Sequence, residues 1–170
     1  MNNRKFKKHY DDYFDRIYRF IYYKTQHKET AEDLVSQVFI KAYDNLDKYD
    51  PSKSSFSTWL YRIARNTVID YYRTRKNTVD VLDVWDLRTD EDIEKDFETQ
   101  SKLDQVMEAM ENIDKDHREI IIMRLWGNLS YAEISQIVNK NESNCRMIFS
   151  RSMNKLRKET ILSLMLLLII

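Results

Sequence analysis

Apolar side chains recur every three or four residues along most of the chain, the spacing that lines one face of an α-helix. Tyr13, Ile17, Phe20, Ile21 and Lys24 outline a first helix. Ala31, Leu34, Val35, Val38, Ala42 and Leu46 form the buried stripe of a second, with Thr30 as N-cap and Asp33 three residues on, where negative charge suits a helix start. Residues 48–55, KYDPSKSS, read as a loop around the one proline. A third helix is predicted from about Phe56 to Lys76, with Phe56, Leu60, Ile63, Ala64 and Thr67 inward. Residues 77–100 are acidic and aperiodic, and read as a linker with at most partial helix.

The period returns with Leu103, Val106, Met107 and Met110, then with Ile120 to Trp126. Gly127 stands where freedom to take positive φ would cap that helix. Ser130 followed by Glu133 makes a capping box for the next, YAEISQIV. Asn139, Lys140 and Asn141 form a short turn, and a last helix starts near Glu142. Two short helices so joined make a helix-turn-helix candidate. The expected fold is therefore all-α, with two small helical domains joined by an acidic linker and the second ending in a helix-turn-helix. The expected boundaries are 1–78, 79–100 and 101–160, with an apolar tail at 161–170.

Composition narrows the picture. One Gly and one Pro in 170 residues argue against β-hairpin architectures and exclude a Gly-rich phosphate cradle. One Cys gives neither a disulfide framework nor a paired metal site, and three scattered His suggest no metal or proton-shuttle cluster. No nucleophile–base pair or paired carboxylates stand at a useful spacing, so neither catalytic residues nor cofactors are expected. The N-terminal MNNRKFKKHYDDYF lacks the apolar stretch of a signal peptide, and a cytoplasmic protein is expected. Residues 161–170, ILSLMLLLII, are apolar at nine of ten positions but too short to cross a bilayer. They read as a packed helix end, a partner-binding segment or an altered chain end, with packing or an altered end ahead of membrane contact.

Charge is more informative than its zero sum. Residues 1–78 carry 16 basic and 10 acidic side chains, 79–117 carry 4 and 14, and 118–170 carry 8 and 4. A basic, acidic, basic order suits nucleic-acid contact through both ends, although charge runs are often only solvated surface. In the third helix Trp59, Arg62, Asn66, Asp70 and Arg73 share a stripe, and Tyr71, Tyr72, Arg73, Arg75 and Lys76 cluster at its end. Aromatics among cations suit single-stranded DNA, where bases stack on rings and phosphates meet positive charge. Aromatic stripes are also common in cores; Phe56 and part of Tyr61 are expected there. In the last helix Cys145, Phe149, Ser152 and Leu156 share one face. Ser143, Asn144, Arg146, Met147, Ser150 and Arg151 lie mostly away from it, free to meet bases and phosphates. Cys145 reads as a small core side chain.

Three segments in order, AEDLVSQVFIKAY, FSTWLYRIARNTVIDYYR and LSYAEISQIV with its partner helix, resemble the extracytoplasmic-function sigma factors of bacterial RNA polymerase. The resemblance spans about residues 10–76 and 101–158. It implies a region two that binds the polymerase clamp and the −10 promoter element, and a region four that binds the −35 element and the flap. Carried over residue by residue, it implies clamp contacts at Asp33, Leu34, Gln37, Phe39 and Lys41. It implies −10 contacts at Trp59, Arg62, Asn66, Tyr71, Tyr72, Arg73, Arg75 and Lys76. The −35 readers would be Asn141, Ser143, Asn144, Arg146, Met147, Ser150 and Arg151.

The chain departs from the family pattern in four places. Ser36 and Gln37 replace a Gln and an acidic residue, Val138 to Asn141 replaces Leu-Gly-Ile-Ser, Cys145 replaces a common Val, and Ile148 replaces a basic residue. The implied partners are core RNA polymerase through its β and β′ subunits, promoter DNA, and an anti-sigma factor that is membrane-linked in some cases. No small-molecule substrate is expected. The function implied is a sigma factor that directs transcription initiation. The alternative is a stand-alone helix-turn-helix regulator that dimerises and binds duplex DNA unaided.

Overall fold

The computed structural model of the chain describes residues 3–75, 110 and 112–167, with side chains over 6–74, 110 and 112–158. Among the described residues six α-helices follow one another: α1 (Asn3–Thr25), α2 (Lys28–Asp44), α3 (Phe56–Arg75), α4 (Lys115–Leu125), α5 (Tyr131–Val138) and α6 (Glu142–Leu167). A 3-10 turn at Leu46–Lys48 extends α2, so Leu46 and Lys48 belong to it rather than to the helix or the loop. Among the described residues there is no strand. The linker residues, together with Leu103, Val106 and Met107, lie outside the described residues, as do the tail side chains.

Helices α1, α2 and α3 pack as a bundle around Ile17, Phe20 and Ile21, Leu34, Val35 and Val38, and Leu60, Tyr61 and Ala64, all essentially inaccessible. Burying each such side chain contributes about 1.5–3 kcal/mol, which is why the apolar stripe decides where each helix faces. The break between α1 and α2 falls at Gln26, whose φ of 52° is left-handed. His27, not Thr30, is the N-cap of α2: its Nδ1 accepts from the Thr30 amide at 3.2 Å. The sequence reading favoured a hydroxyl, but a neutral imidazole also offers the acceptor that a helix start needs.

Helix α4 is unlike the others. Arg118, Glu119, Ile120, Ile121, Ile122 and Met123 are all buried in succession. A helix covered all round must lie between two layers. It packs on α5 and α6 on one side and on α1 on the other, and α5 also meets α3. The buried side chains of the two bundles therefore form one continuous core.

Gly127 follows α4, but it does not have positive φ; Asn128, at φ 52°, takes the left-handed position. Gly127 is required for a different reason. A Cβ there would stand 2.5 Å from the Met123 carbonyl oxygen and 2.8 Å from the Tyr61 hydroxyl. Its bare backbone lets α3 and the end of α4 touch.

Candidate nucleic-acid interface

Trp59, Arg62, Asn66, Asp70 and Arg73 fall along one side of α3 because they recur at helical spacing outside the buried stripe. Arg62, Asn66 and Arg73 are exposed, while Trp59 and Asp70 are half-buried. Between this side of α3 and the end of α2 runs a cleft of about 350 Å³, lined among others by Lys41, Lys48, Trp59, Asn66 and Asp70. The Trp59 ring is wedged by Tyr49 and Phe56, with centroids 5.2 and 5.5 Å away. Lys41 donates to Thr67 Oγ1 at 3.1 Å, and Lys48 to Asn45 Oδ1 at 2.9 Å. Asp70 is paired with Arg73 at 2.6 Å, which offsets the one acidic group in the cleft. A rigid half-open indole beside two lysines can stack a base and hold its phosphate.

Some expected contacts are not available on this face. Tyr72 is only 4% exposed, and its hydroxyl donates to the Lys24 carbonyl across the bundle. It is a core side chain rather than a DNA contact, because the α3 stripe turns inward at its position. Tyr71 is half-buried, within 3.5 Å of the Thr30 hydroxyl. The Arg75 side chain and Lys76 lie outside the described residues.

The helix-turn-helix forms as the capping chemistry predicts. Ser130 Oγ accepts from the Glu133 amide while Glu133 Oε2 accepts from the Ser130 amide at 2.9 Å, closing both ends of the box. Asn139 ends α5 in the left-handed region at φ 55°, a conformation Asn tolerates better than most residues. Asn141 Oδ1 accepts from the Asn144 amide at 2.7 Å and starts α6, so that oxygen is committed to the cap.

Cys145, Ile148 and Ser152 are buried, with Phe149 and Leu156 half-buried beside them. Ile148, where the family pattern carries a base, is thus an inward packing residue and removes that contact. Burial also pushes the Cys145 thiol up, away from the reactive thiolate. Ser143, Arg146, Met147, Ser150 and Arg151 face outward, and Asn144 is half-buried.

Tyr131 adds something periodicity did not reveal. Arg124 and Arg146 both lie 4.9 Å from its ring centroid, so the ring carries a cation from each neighbouring helix. Glu142 holds Arg146 from the other side at 2.9 Å. The only hint in the sequence is an aromatic at the first position of a helix whose apolar face lies elsewhere.

On α2, Asp33, Gln37 and Lys41 are exposed. Leu34 and Phe39, at 2% and 5%, are core and cannot touch a partner directly. Ile40 and Tyr43, 61% and 49% exposed, are the apolar side chains this helix does present. Their signal was there to see, since both fall outside the period of the buried stripe.

Among the described residues no group of His, Cys, Asp or Glu could hold a metal ion. Nor is any described helix long and apolar enough to cross a membrane.

Two buried or half-buried carboxylates join the halves. Glu119 on α4 accepts from Lys24 at 2.7 Å and from Arg65 at 3.0 Å. Burial works against its charge, but Lys24 and Arg65 together outweigh that and hold the carboxyl below its usual value. Glu133 on α5 accepts through Oε1 from Ser55 at 2.7 Å and from Ser57. Its carboxyl is likewise lowered: the hydrogen bonds from Ser57, Ser130 and Ser55 outweigh its desolvation.

Comparison with known proteins follows the same division. Residues 9–78 match sigma-70 region 2 and residues 103–156 match sigma-70 region 4. The extracytoplasmic-function sigma factor SigM of Bacillus subtilis is 30% identical over 149 residues, covering 87% of this chain and 90% of SigM. BldN of Streptomyces coelicolor is 29% identical over 158 residues, covering 88% of this chain and 58% of BldN. In fold, the chain superimposes on the sigma factor RpoE of Bartonella quintana, solved in complex with the anti-sigma factor NepR. The TM-score is 0.73 at 23% identity, covering 91% of this chain and 96% of that one.

Proposed function

The chain belongs to the extracytoplasmic-function group of sigma-70 factors, and from that premise we propose which of its surfaces meet polymerase and promoter. A sigma factor, rather than a stand-alone regulator, is what this membership makes it. We assign residues 1–78 to core-polymerase and −10 binding, 79–100 to a linker and 101–160 to −35 binding. The protein does no chemistry of its own and acts in the cytoplasm, where polymerase is.

The observation that carries the −10 assignment is the cleft in which Trp59 stands half-open between Lys41, Lys48 and Asn66. An unstacked base of the opened strand lies against the indole, and the lysines meet its phosphates. Arg62 and Arg73 extend the same face. The −35 element lies along Ser143, Asn144, Arg146, Met147, Ser150 and Arg151, with Arg146 pre-oriented by Tyr131 and Glu142. On α2 the clamp meets Asp33, Gln37 and Lys41 together with the exposed Ile40, while Leu34 and Phe39 support that helix from beneath. An anti-sigma factor is a further partner, in keeping with the NepR complex of RpoE.

The test is transcription from a promoter library with core polymerase and the purified chain. New start sites that appear only with the chain support the assignment; their absence overturns it. A gel shift without polymerase, showing tight specific binding of duplex DNA by the chain alone, would favour the regulator instead.

A further inference from the structure

From Glu142 to Arg151 the exposed side chains of α6 are Glu142, Ser143, Arg146, Met147, Ser150 and Arg151, and Met147 alone among them is apolar. It is 44% exposed, whereas Met153, six positions on, packs against the core. Helical spacing puts Ser143 one turn before Met147 and Ser150 one turn after it. Two short hydroxyl side chains thus flank an unbranched thioether with three rotatable bonds, which outreaches both. Glu142 and Arg146 are spent on each other at 2.9 Å, with the Tyr131 ring 4.9 Å from the guanidinium. Met147 is then the longest side chain in the first two turns of α6 that no such pair tethers, and a recognition helix meets base edges with its N-terminal residues.

A thioether can read very little. It donates no hydrogen bond and accepts only weakly. Against the amino group of adenine or cytosine it would strip hydration and return nothing. It gains equally little from the guanine N7 and O6 acceptors. The one apolar group that a base pair displays in the major groove is the C5-methyl of thymine.

We propose that Met147 is a specificity-determining residue that reads one thymine of the −35 element through its C5-methyl group and disfavours cytosine there. The inference rests on the assignment of α6 to the −35 element and names the chemical feature that this helix takes from it. Removing one buried methyl from water corresponds to about a three- to fivefold preference for thymine over a base that lacks it.

Deoxyuridine tests this at the level of that single group, since it differs from thymidine only by the methyl and keeps every hydrogen-bonding atom. The assay uses the holoenzyme of core polymerase and the full chain on a −35 dependent promoter. Each thymine of the element is replaced by deoxyuridine, one at a time and on either strand, and initiation is measured at sub-saturating holoenzyme. Wild type should lose about three- to fivefold at one position and nothing at the others. Met147→Ser should start from a similarly reduced rate and be indifferent to that replacement, because the two changes remove one contact. Met147→Leu should keep the methyl dependence. Circular dichroism checks that each variant retains its helices; if Met147→Ser does not, Met147→Gln, of the same length with a polar end, takes its place.

A deoxyuridine penalty that persists undiminished in Met147→Ser overturns the proposal, and so does an element in which no thymine methyl matters. Replacing the −35 element as a block separates this failure from that of the underlying assignment. Initiation indifferent to the block replacement sinks the assignment of α6 itself, whereas initiation that depends on the block but on no methyl sinks the role of Met147 alone.

Discussion

Helices α3 and α6 each carry a polar face that we assign to DNA, but they hold it in different ways. On α6 the arrangement is local: Arg146 is set by Glu142 one turn earlier and by Tyr131 just across the turn, and Asn141 caps its own helix. On α3 it is long-range. Trp59 is wedged by the loop residue Tyr49, Arg62 reaches α5, and Arg65 reaches Glu119 on α4. A face organised locally does not depend on the contact between the bundles. One organised over long range does, so α3 responds to the state of the whole molecule and α6 does not.

The comparison can be broken most severely from beneath. Leu34→Ala empties a fully packed site under α2 and should cost about 2–5 kcal/mol in chemical denaturation, taking polymerase binding with it. Asp33→Ala on the exposed side should leave stability nearly unchanged while weakening polymerase binding; equal losses in both would make Asp33 structural.

Trp59→Ala removes the stacking surface. About 1–3 kcal/mol of strand binding should go with it, seen as slower promoter opening with polymerase assembly intact. Loss of assembly in step with opening would return Trp59 to the core. Arg146→Ala should weaken initiation from −35 dependent promoters by up to a similar amount and relax the preference at one base pair. Unchanged promoter choice would remove it from the reading set.

Tyr131→Leu is gentler. It keeps the apolar bulk but loses the cation–π contacts, so roughly 0.5–1 kcal/mol of −35 selectivity should go without a change in −10 opening.

Acid should loosen the Glu119 contact on the long-range side. Because Glu119 is held below its usual value of 4.5, its contribution is present above that pH and fades as pH falls through the lowered value. Scattering between pH 7 and 5 should show a constant radius. Expansion within that window would mean that another group controls the contact.

What was legible in the sequence follows the same divide. The stripes of α2 and α3, apart from the half-buried Leu46 and Ile63, the Ser130–Glu133 box and the Asn139 turn are set by neighbours within four residues, and they stand as the spacing implied. Tyr72 was misplaced because its burial depends on the Lys24 carbonyl, 48 positions away. Gly127 was assigned a cap when its real neighbour is Tyr61. Glu119 offered no signal at all, since its partners lie 95 and 54 positions back along the chain. Lys24 did show one: it fell on the apolar stripe of α1, an unusual place for a lysine unless something is there to meet it.

Glu133 shares out its two oxygens, one with Ser130 at the start of α5 and the other with Ser55, just before α3, and Ser57 in its first turn. Fraying of the first turn of α5 and loss of its contact with the start of α3 therefore share one carboxylate. In hydrogen–deuterium exchange, the amides of Glu133 and Ile134 would open on the schedule of that contact rather than that of an ordinary helix end. Two backbone positions would then time the opening of a contact between the bundles.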